Sequence, residues 1–300
     1  MIIQAKLRLY VQLCRLDRPI GILLLLWPTL WALWISSNGR PEWSLVAIFI
    51  AGTILMRSAG CAINDFADRH FDKHVKRTKD RPITSELISP REALWVAAGL
   101  SILAFSLVLS LNKLTQWLTL PALFLAGSYP FTKRFIALPQ AYLGVAFGFG
   151  VPMAFAAQTN TIPAITWLLM LANLFWCIAY DTEYAMVDRD DDIHLGIHSS
   201  AIYFGKFDVL AVVLCYAGTI GSLLVAGSVL KMGIPYHLGL IGASGIAYYH
   251  YTLIRSRLRD ECFRAFLHNT WFGAVIFAGI YFDYLIGASS RWYAPIGSII

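Results

Sequence analysis

The sequence predicts an all-α, polytopic membrane protein, and three observations carry the prediction. Hydrophobic residues make up 58% of the 300 and charged residues only 14%, with a mean hydropathy of +0.61, where a soluble domain carries about 25% charged residues. The apolar residues fall in long runs, and about 20 of them cross a bilayer as a helix that satisfies its own backbone. Lys and Arg gather in alternate connections, the asymmetry that orients membrane proteins.

Residues 1–18 mix basic and apolar side chains and lack a small-residue cleavage site. They are expected to lie on the membrane as an amphipathic lead-in, not as a removed signal. Nine apolar runs follow, at about 19–36, 43–63, 93–111, 114–131, 137–157, 162–180, 208–230, 235–254 and 263–287. The third and fourth nearly merge at Asn112-Lys113, so eight is the competing count. Pro28, Pro121 and Gly148-Phe149-Gly150-Val151-Pro152 sit inside runs, where neighbouring helices re-satisfy freed backbone groups. Nine spans put the termini on opposite sides. Nineteen Lys and Arg then share the side of the N-terminus, Arg40, Lys113, Lys231 and Arg291 take the other, and Arg57 lies within the second run. A cytoplasmic N-terminus follows.

No linker or low-complexity tract divides the chain, so residues 1–300 are read as one domain, with catalytic loops at about 64–92 and 181–207. The five cysteines show no CxxC or His-paired spacing and read as small apolar filler. The net charge of +6 is juxtamembrane, where anionic lipid and topology explain it. No nucleic-acid motif is present.

Nine of the 18 acidic residues sit in two clusters, at 64–72 and 181–192. On a helix, Asn64, Asp68 and Asp72 fall at i, i+4, i+8, and Asp181, Tyr184, Asp188 and Asp192 at i, i+3, i+7, i+11, each a stripe on one face. Like charges one turn apart repel, so each stripe destabilises its helix until cations neutralise it. Oxygen-only donors suit Mg²⁺, which, held by few carboxylates, completes its shell with water and phosphate oxygens. Two solvated helix ends are the plainer reading, but they do not account for a regular, duplicated spacing beside membrane runs. Asp68 and Asp188 are 120 residues apart, room for four spans, so two four-span halves related by a pseudo-two-fold axis would face the stripes across one cavity.

Mg²⁺ between carboxylate rows bordered by Lys and Arg makes a diphosphate site. Lys73, Lys76, Arg77 and Arg81 follow the first stripe, and Lys133-Arg134 ends the fourth run; Arg grips phosphate as a fork, Lys as a point charge. Ordinary cytoplasmic positive charge is their alternative role. Arg57 lies seven residues before Asn64, about 10 Å deeper on the same face. An intramembrane Arg marks a function with a partner, either an anionic substrate group such as an aromatic carboxylate or a carboxylate of the other stripe. Asn173 is expected to bond between helices. The chain has no GxSxG, P-loop, GxGxxG or HExxH motif.

These residues resemble the UbiA superfamily of intramembrane prenyltransferases, and within it the 4-hydroxybenzoate branch. The resemblance is carried by 16–34, by Met56–Cys61 leading into NDxxDxxxD at 64–72, and by 74–78, 129–134, 138–140, 152–157 and 180–192. It implies nine helices around a central cavity in a bacterial inner membrane, with the active site facing the cytoplasm. It also implies Mg²⁺ dependence, a polyprenyl diphosphate donor, 4-hydroxybenzoate as acceptor, and a step of ubiquinone biosynthesis. On this resemblance Asn64, Asp68 and Asp72 form the first magnesium–diphosphate set, and Asp181, Asp188 and Asp192 the second. Lys133 and Arg134 match the basic pair near the diphosphate, and Arg57 matches the arginine proposed to face the acceptor. The donor would ionise to an allylic cation that the ring attacks ortho to its hydroxyl, with Asp181 or Asp191 open as the group taking the proton. Other acceptors (menaquinone-pathway, homogentisate or haem) and a cation transporter are the rival readings.

Overall fold

The computed structural model describes residues 2–74, 78–132 and 134–287, and among them all regular structure is helical. The helices are α1 (Ile2–Leu13), α2 (Ile20–Ser36), α3 (Trp43–Asp68), α4 (Pro90–Val108), α5 (Lys113–Thr132), α6 (Pro139–Gly148), α7 (Gly150–Thr159), α8 (Ala164–Leu195), α9 (Ser200–Phe204), α10 (Asp208–Val229), α11 (Ile234–Ile254) and α12 (Arg259–Gly287). A helix overlies each predicted apolar run. Six stretches are long and apolar enough to cross a membrane: Trp43–Asp68, Pro90–Val108, Pro139–Thr159, Ala164–Leu195, Ser200–Val229 and Arg259–Gly287. The apolar α2 is shorter, at 17 residues.

The third and fourth runs are separate helices. Asn112 ends the connection by accepting from the Thr115 amide (3.0 Å) and hydroxyl (2.8 Å), and its amide nitrogen donates to the Ala156 carbonyl at 2.6 Å. The side chain thus supplies the start of α5 with a cap, as Asn does at helix N-termini. The fifth run is broken once, at Phe149 between α6 and α7. Gly150 lets α7 approach α2, since a Cβ there would lie 2.3 Å from Thr29 Oγ1.

Helix α8 is the spine, and its buried face packs on α6, α10 and α12. Lipid is as apolar as Leu, so close packing and buried polar bonds hold such helices together more than hydrophobic burial does. Trp31 stacks on Trp176 at 5.5 Å, and Trp176 tilts against Phe272 at 5.4 Å. Beside them Asn269 takes a bond from Trp176 Nε1 (2.8 Å) and gives one to Glu183 (2.7 Å), while the Tyr216 hydroxyl meets Glu183, Asn269 and His250 within 3.0 Å. That network ties α8 to α10, α11 and α12. Asn173 bonds as expected, its amide donating to the Gly144 carbonyl of α6 at 3.0 Å.

The expected loops are partly helical. Helix α8 continues to Leu195 and stops at Gly196, whose φ of 66° is the left-handed C-terminal cap, so 181–195 is helix. Residues 64–68 belong to α3 and Asp72–His74 form a 3-10 turn.

Candidate active site

A cavity of about 1770 Å³ enters the bundle at the acidic ends of α3 and α8 and is walled by α2 to α8 and α12. Asn64, Asp68 and Asp72 line it from one side, and Asp181, Tyr184, Asp188 and Asp192 from the other. The second stripe keeps its helical spacing on an unbroken helix. Tyr184 is braced by Phe266 at 4.6 Å and Phe263 at 6.4 Å.

The first stripe departs from the expected i, i+4, i+8 helix. Helix α3 ends at Asp68, and Asp72 sits on the 3-10 turn beyond it. Acidic charge alone does not set this stop, since α8 runs on through the denser stretch of Asp188, Asp190, Asp191 and Asp192. Two guanidiniums instead cap its last carbonyls: Arg69 donates to Phe66 O at 2.7 Å and Arg134 to Ala67 O at 2.9 Å. Asp72 still faces the cavity. It is buried, and burial pushes its carboxyl above the ordinary value against the opposing pull of Arg81.

Arg134 lies at the mouth between Phe71 (5.5 Å) and Phe131 (5.6 Å). Arg81 also lines the mouth but is drawn into the carboxylates, with Nη1 2.7 Å from Asp72 and 3.0 Å from Asp65. Lys73 does not reach the cavity wall; its ammonium pairs with Glu86 at 3.1 Å, where both side chains are exposed. The turn that carries Asp72 inward points the next residue out. Lys76, Arg77 and Lys133 lie outside the described residues. Asp191, one candidate proton acceptor, is 3.5 Å from Arg259 and does not line the cavity, whereas Asp181 does.

Two contributors went unassigned in the sequence. Asp65 is 1% exposed and accepts from Arg15 Nη2 at 2.9 and 3.1 Å while also facing Arg81. No helical spacing ties it to Asp72, because α3 ends at Asp68 between them. Nothing local signals Arg15, fifty residues away and in the left-handed region at φ 55°.

Arg57 lies deeper, on α3. Its Nη1 bonds Cys61 Sγ at 3.0 Å, its guanidinium stands 5.8 Å from the Phe147 ring, and its Nε is buried without a partner. Among the described residues no carboxylate pairs with it, so the alternative of a bond to the second stripe does not hold there. It rests against α2 where Gly21 leaves room, since a Cβ on Gly21 would stand 2.5 Å from Arg57 Nε.

Among the described residues no three His, Cys, Asp or Glu side chains converge on one metal position. A protein-only cage is therefore absent among the described residues. Two rows of oxygen donors on one cavity instead fit Mg²⁺ in its usual manner, few carboxylates per ion with phosphate and water completing the shell.

A model of the UbiA prenyltransferase family matches residues 25–277. The chain is 61% identical over 282 residues to the 4-hydroxybenzoate octaprenyltransferase of Cupriavidus metallidurans, covering 94% of this chain and 96% of the relative. It is 60% identical to that of Herminiimonas arsenicoxydans, covering 94% and 99%. Its fold matches the apo structure of a UbiA homolog from Aeropyrum pernix K1 with a TM-score of 0.76 at 25% identity, over 88% of this chain and 97% of that one. A UbiA homolog from Archaeoglobus fulgidus bound to GPP and Mg²⁺ shares the fold with a TM-score of 0.68 at 16% identity, over 91% and 99%.

Proposed function

The chain belongs to the UbiA prenyltransferase family, and we propose that it transfers the polyprenyl group of a polyprenyl diphosphate to the 3-position of 4-hydroxybenzoate, a membrane step of ubiquinone biosynthesis. One observation carries the reading. Two rows of oxygen donors from separate helices face one cavity, and below them that cavity holds an Arg with no carboxylate partner among the described residues. The relatives named 4-hydroxybenzoate octaprenyltransferase support the choice of acceptor.

Asn64, Asp68 and Asp72 on one side and Asp181, Asp188 and Asp192 on the other are the residues that would hold Mg²⁺. The bound ions would supply positive charge to the departing diphosphate oxygens. Arg134, with Lys133, Arg77 and Arg81, binds the remaining phosphate oxygens, and Tyr184 packs beside them. Breaking the C1–O bond leaves an allylic cation. Arg57 holds the acceptor by its carboxylate so that the carbon ortho to the hydroxyl attacks C1; that carbon then gives its proton to Asp181. The wall formed by Ile102, Phe105, Leu120 and Leu123 is apolar and exposed, so the prenyl tail leaves there for lipid, where its bulk is best solvated. A dry chamber protects the cation from water.

The proposed topology adds α2, α5 and α11 to the six apolar stretches, giving nine crossings. Lys and Arg, nineteen against four, place the N-terminus and both acidic rows on the cytoplasmic side of an inner membrane. The test combines the purified chain with radiolabelled 4-hydroxybenzoate and a polyprenyl diphosphate, with and without Mg²⁺. Mg²⁺-dependent label in the lipid phase is expected. Labelling of homogentisate or a menaquinone-pathway acceptor in preference would overturn the acceptor.

A further inference from the structure

Three residues of the cavity wall carry a polar atom buried without a hydrogen-bond partner: Arg57 Nε, the hydroxyl of Tyr180 and, beyond the end of α8, Ser199 Oγ; the first two are taken together here. Tyr180 is 2% exposed. Its ring stands edge-on to Trp176 at 5.5 Å and tilted to Phe266 at 6.4 Å, so packing fixes its orientation. The neighbouring indole nitrogen is already committed to Asn269. Folded proteins rarely leave a buried hydroxyl unmatched, and one that lines a cavity points to a ligand as the missing partner.

The two groups lie at one level. Tyr180 is eight residues before Asp188 on α8, about 12 Å, and Arg57 is eleven before Asp68 on α3, about 16 Å, and both helices end at the acidic mouth. Both lie more than two helical turns below Asp68 and Asp188, but Asp181 directly follows Tyr180, so the donor set and not depth alone selects their partner. Arg57 has donors only, and a phenol beside it adds one more. An oxyanion with two oxygens matches that set.

We propose that the Tyr180 hydroxyl is a second donor to the carboxylate of the aromatic acceptor, alongside Arg57; this rests on the acceptor reading above. The pair selects acceptors that carry the acid, because a carboxylate bound by a guanidinium and a hydroxyl leaves no buried donor unmatched, while an uncharged analogue leaves two.

The experiment uses the full chain in lipid nanodiscs and benzoate, which keeps the carboxylate and lacks the phenol. Benzoate binding is measured by calorimetry, independently of turnover. Tyr180→Phe, which keeps the ring contacts, is expected to weaken benzoate about tenfold, the scale of one hydrogen bond to a charged group. It should raise the acceptor KM by a similar factor and leave donor KM within about twofold, which also reports an intact fold. Benzoate weakened by Arg57→Ala but unchanged by Tyr180→Phe overturns the role of Tyr180 alone. A raised acceptor KM with unchanged benzoate binding does the same, since the hydroxyl then meets the acceptor's phenol. Benzoate that fails to bind wild type overturns the carboxylate reading itself.

Discussion

Arg15 and Asp65 are joined by two contacts of 2.9 and 3.1 Å from one guanidinium nitrogen, linking the segment before α2 to the acidic end of α3. The contact matters because Asp65 also faces Arg81, which in turn holds Asp72 on the cavity wall. Alternating charges thus run Arg15–Asp65–Arg81–Asp72.

Removing the first member should be felt at the last. Arg15→Gln leaves Asp65 to Arg81 alone and draws that guanidinium away from Asp72. We expect a stability loss of about 1–2 kcal/mol, below the ~3–5 kcal/mol of a fully broken buried pair because Arg81 remains, and a several-fold rise in donor KM. Thermal unfolding and donor titration check both. An unchanged donor KM would detach Arg15 from the site.

Lys73 and Arg134 separate two views of the basic residues. Lys73 is paired with Glu86 at the surface, and exposed pairs contribute at most ~1 kcal/mol, so Lys73→Ala should turn over normally. Arg134→Ala removes a cation held at the mouth by a carbonyl and two rings and should lower kcat/KM for the donor by 100-fold or more, about 3 kcal/mol. Equal losses from both variants would contradict the placement of Lys73.

Gly21 tests the seating of Arg57. An alanine methyl would collide with the far end of a flexible side chain, so the fold should survive Gly21→Ala while the guanidinium moves. Acceptor KM should rise with donor KM little changed, as for Arg57→Ala. A donor KM that rises instead would move Arg57 to the diphosphate side.

Asn269 carries four polar contacts at the back of α8. Asn269→Leu strands Trp176 Nε1 and leaves Glu183 with a hydrogen bond from Tyr216 alone, and should cost on the order of 1–3 kcal/mol, read as a lower melting temperature. Substrate KM values should stay near wild type, because none of these groups lines the cavity.

How much the sequence revealed depended on whether the relevant spacing was local. The stripe of Asp181, Tyr184, Asp188 and Asp192 was legible because α8 runs unbroken to Leu195, so helical arithmetic holds across it. The same arithmetic failed for Asp72: the backbone leaves α3 at Asp68, and one changed turn also swung Lys73 outward. Arg15 and Asp65 pair across fifty residues through a left-handed backbone position, which no periodicity encodes. Tyr180 opens the 180–192 segment with no sign of a role, because a buried, unmatched hydroxyl is visible only once its neighbours are placed.

The proposed reaction requires both acidic rows to grip one diphosphate. Its most direct test is product formation by Asp68→Ala and Asp188→Ala in membranes where each variant is shown to insert. Either substitution alone is expected to abolish transfer of label into the lipid phase. Wild-type turnover by either one would contradict it.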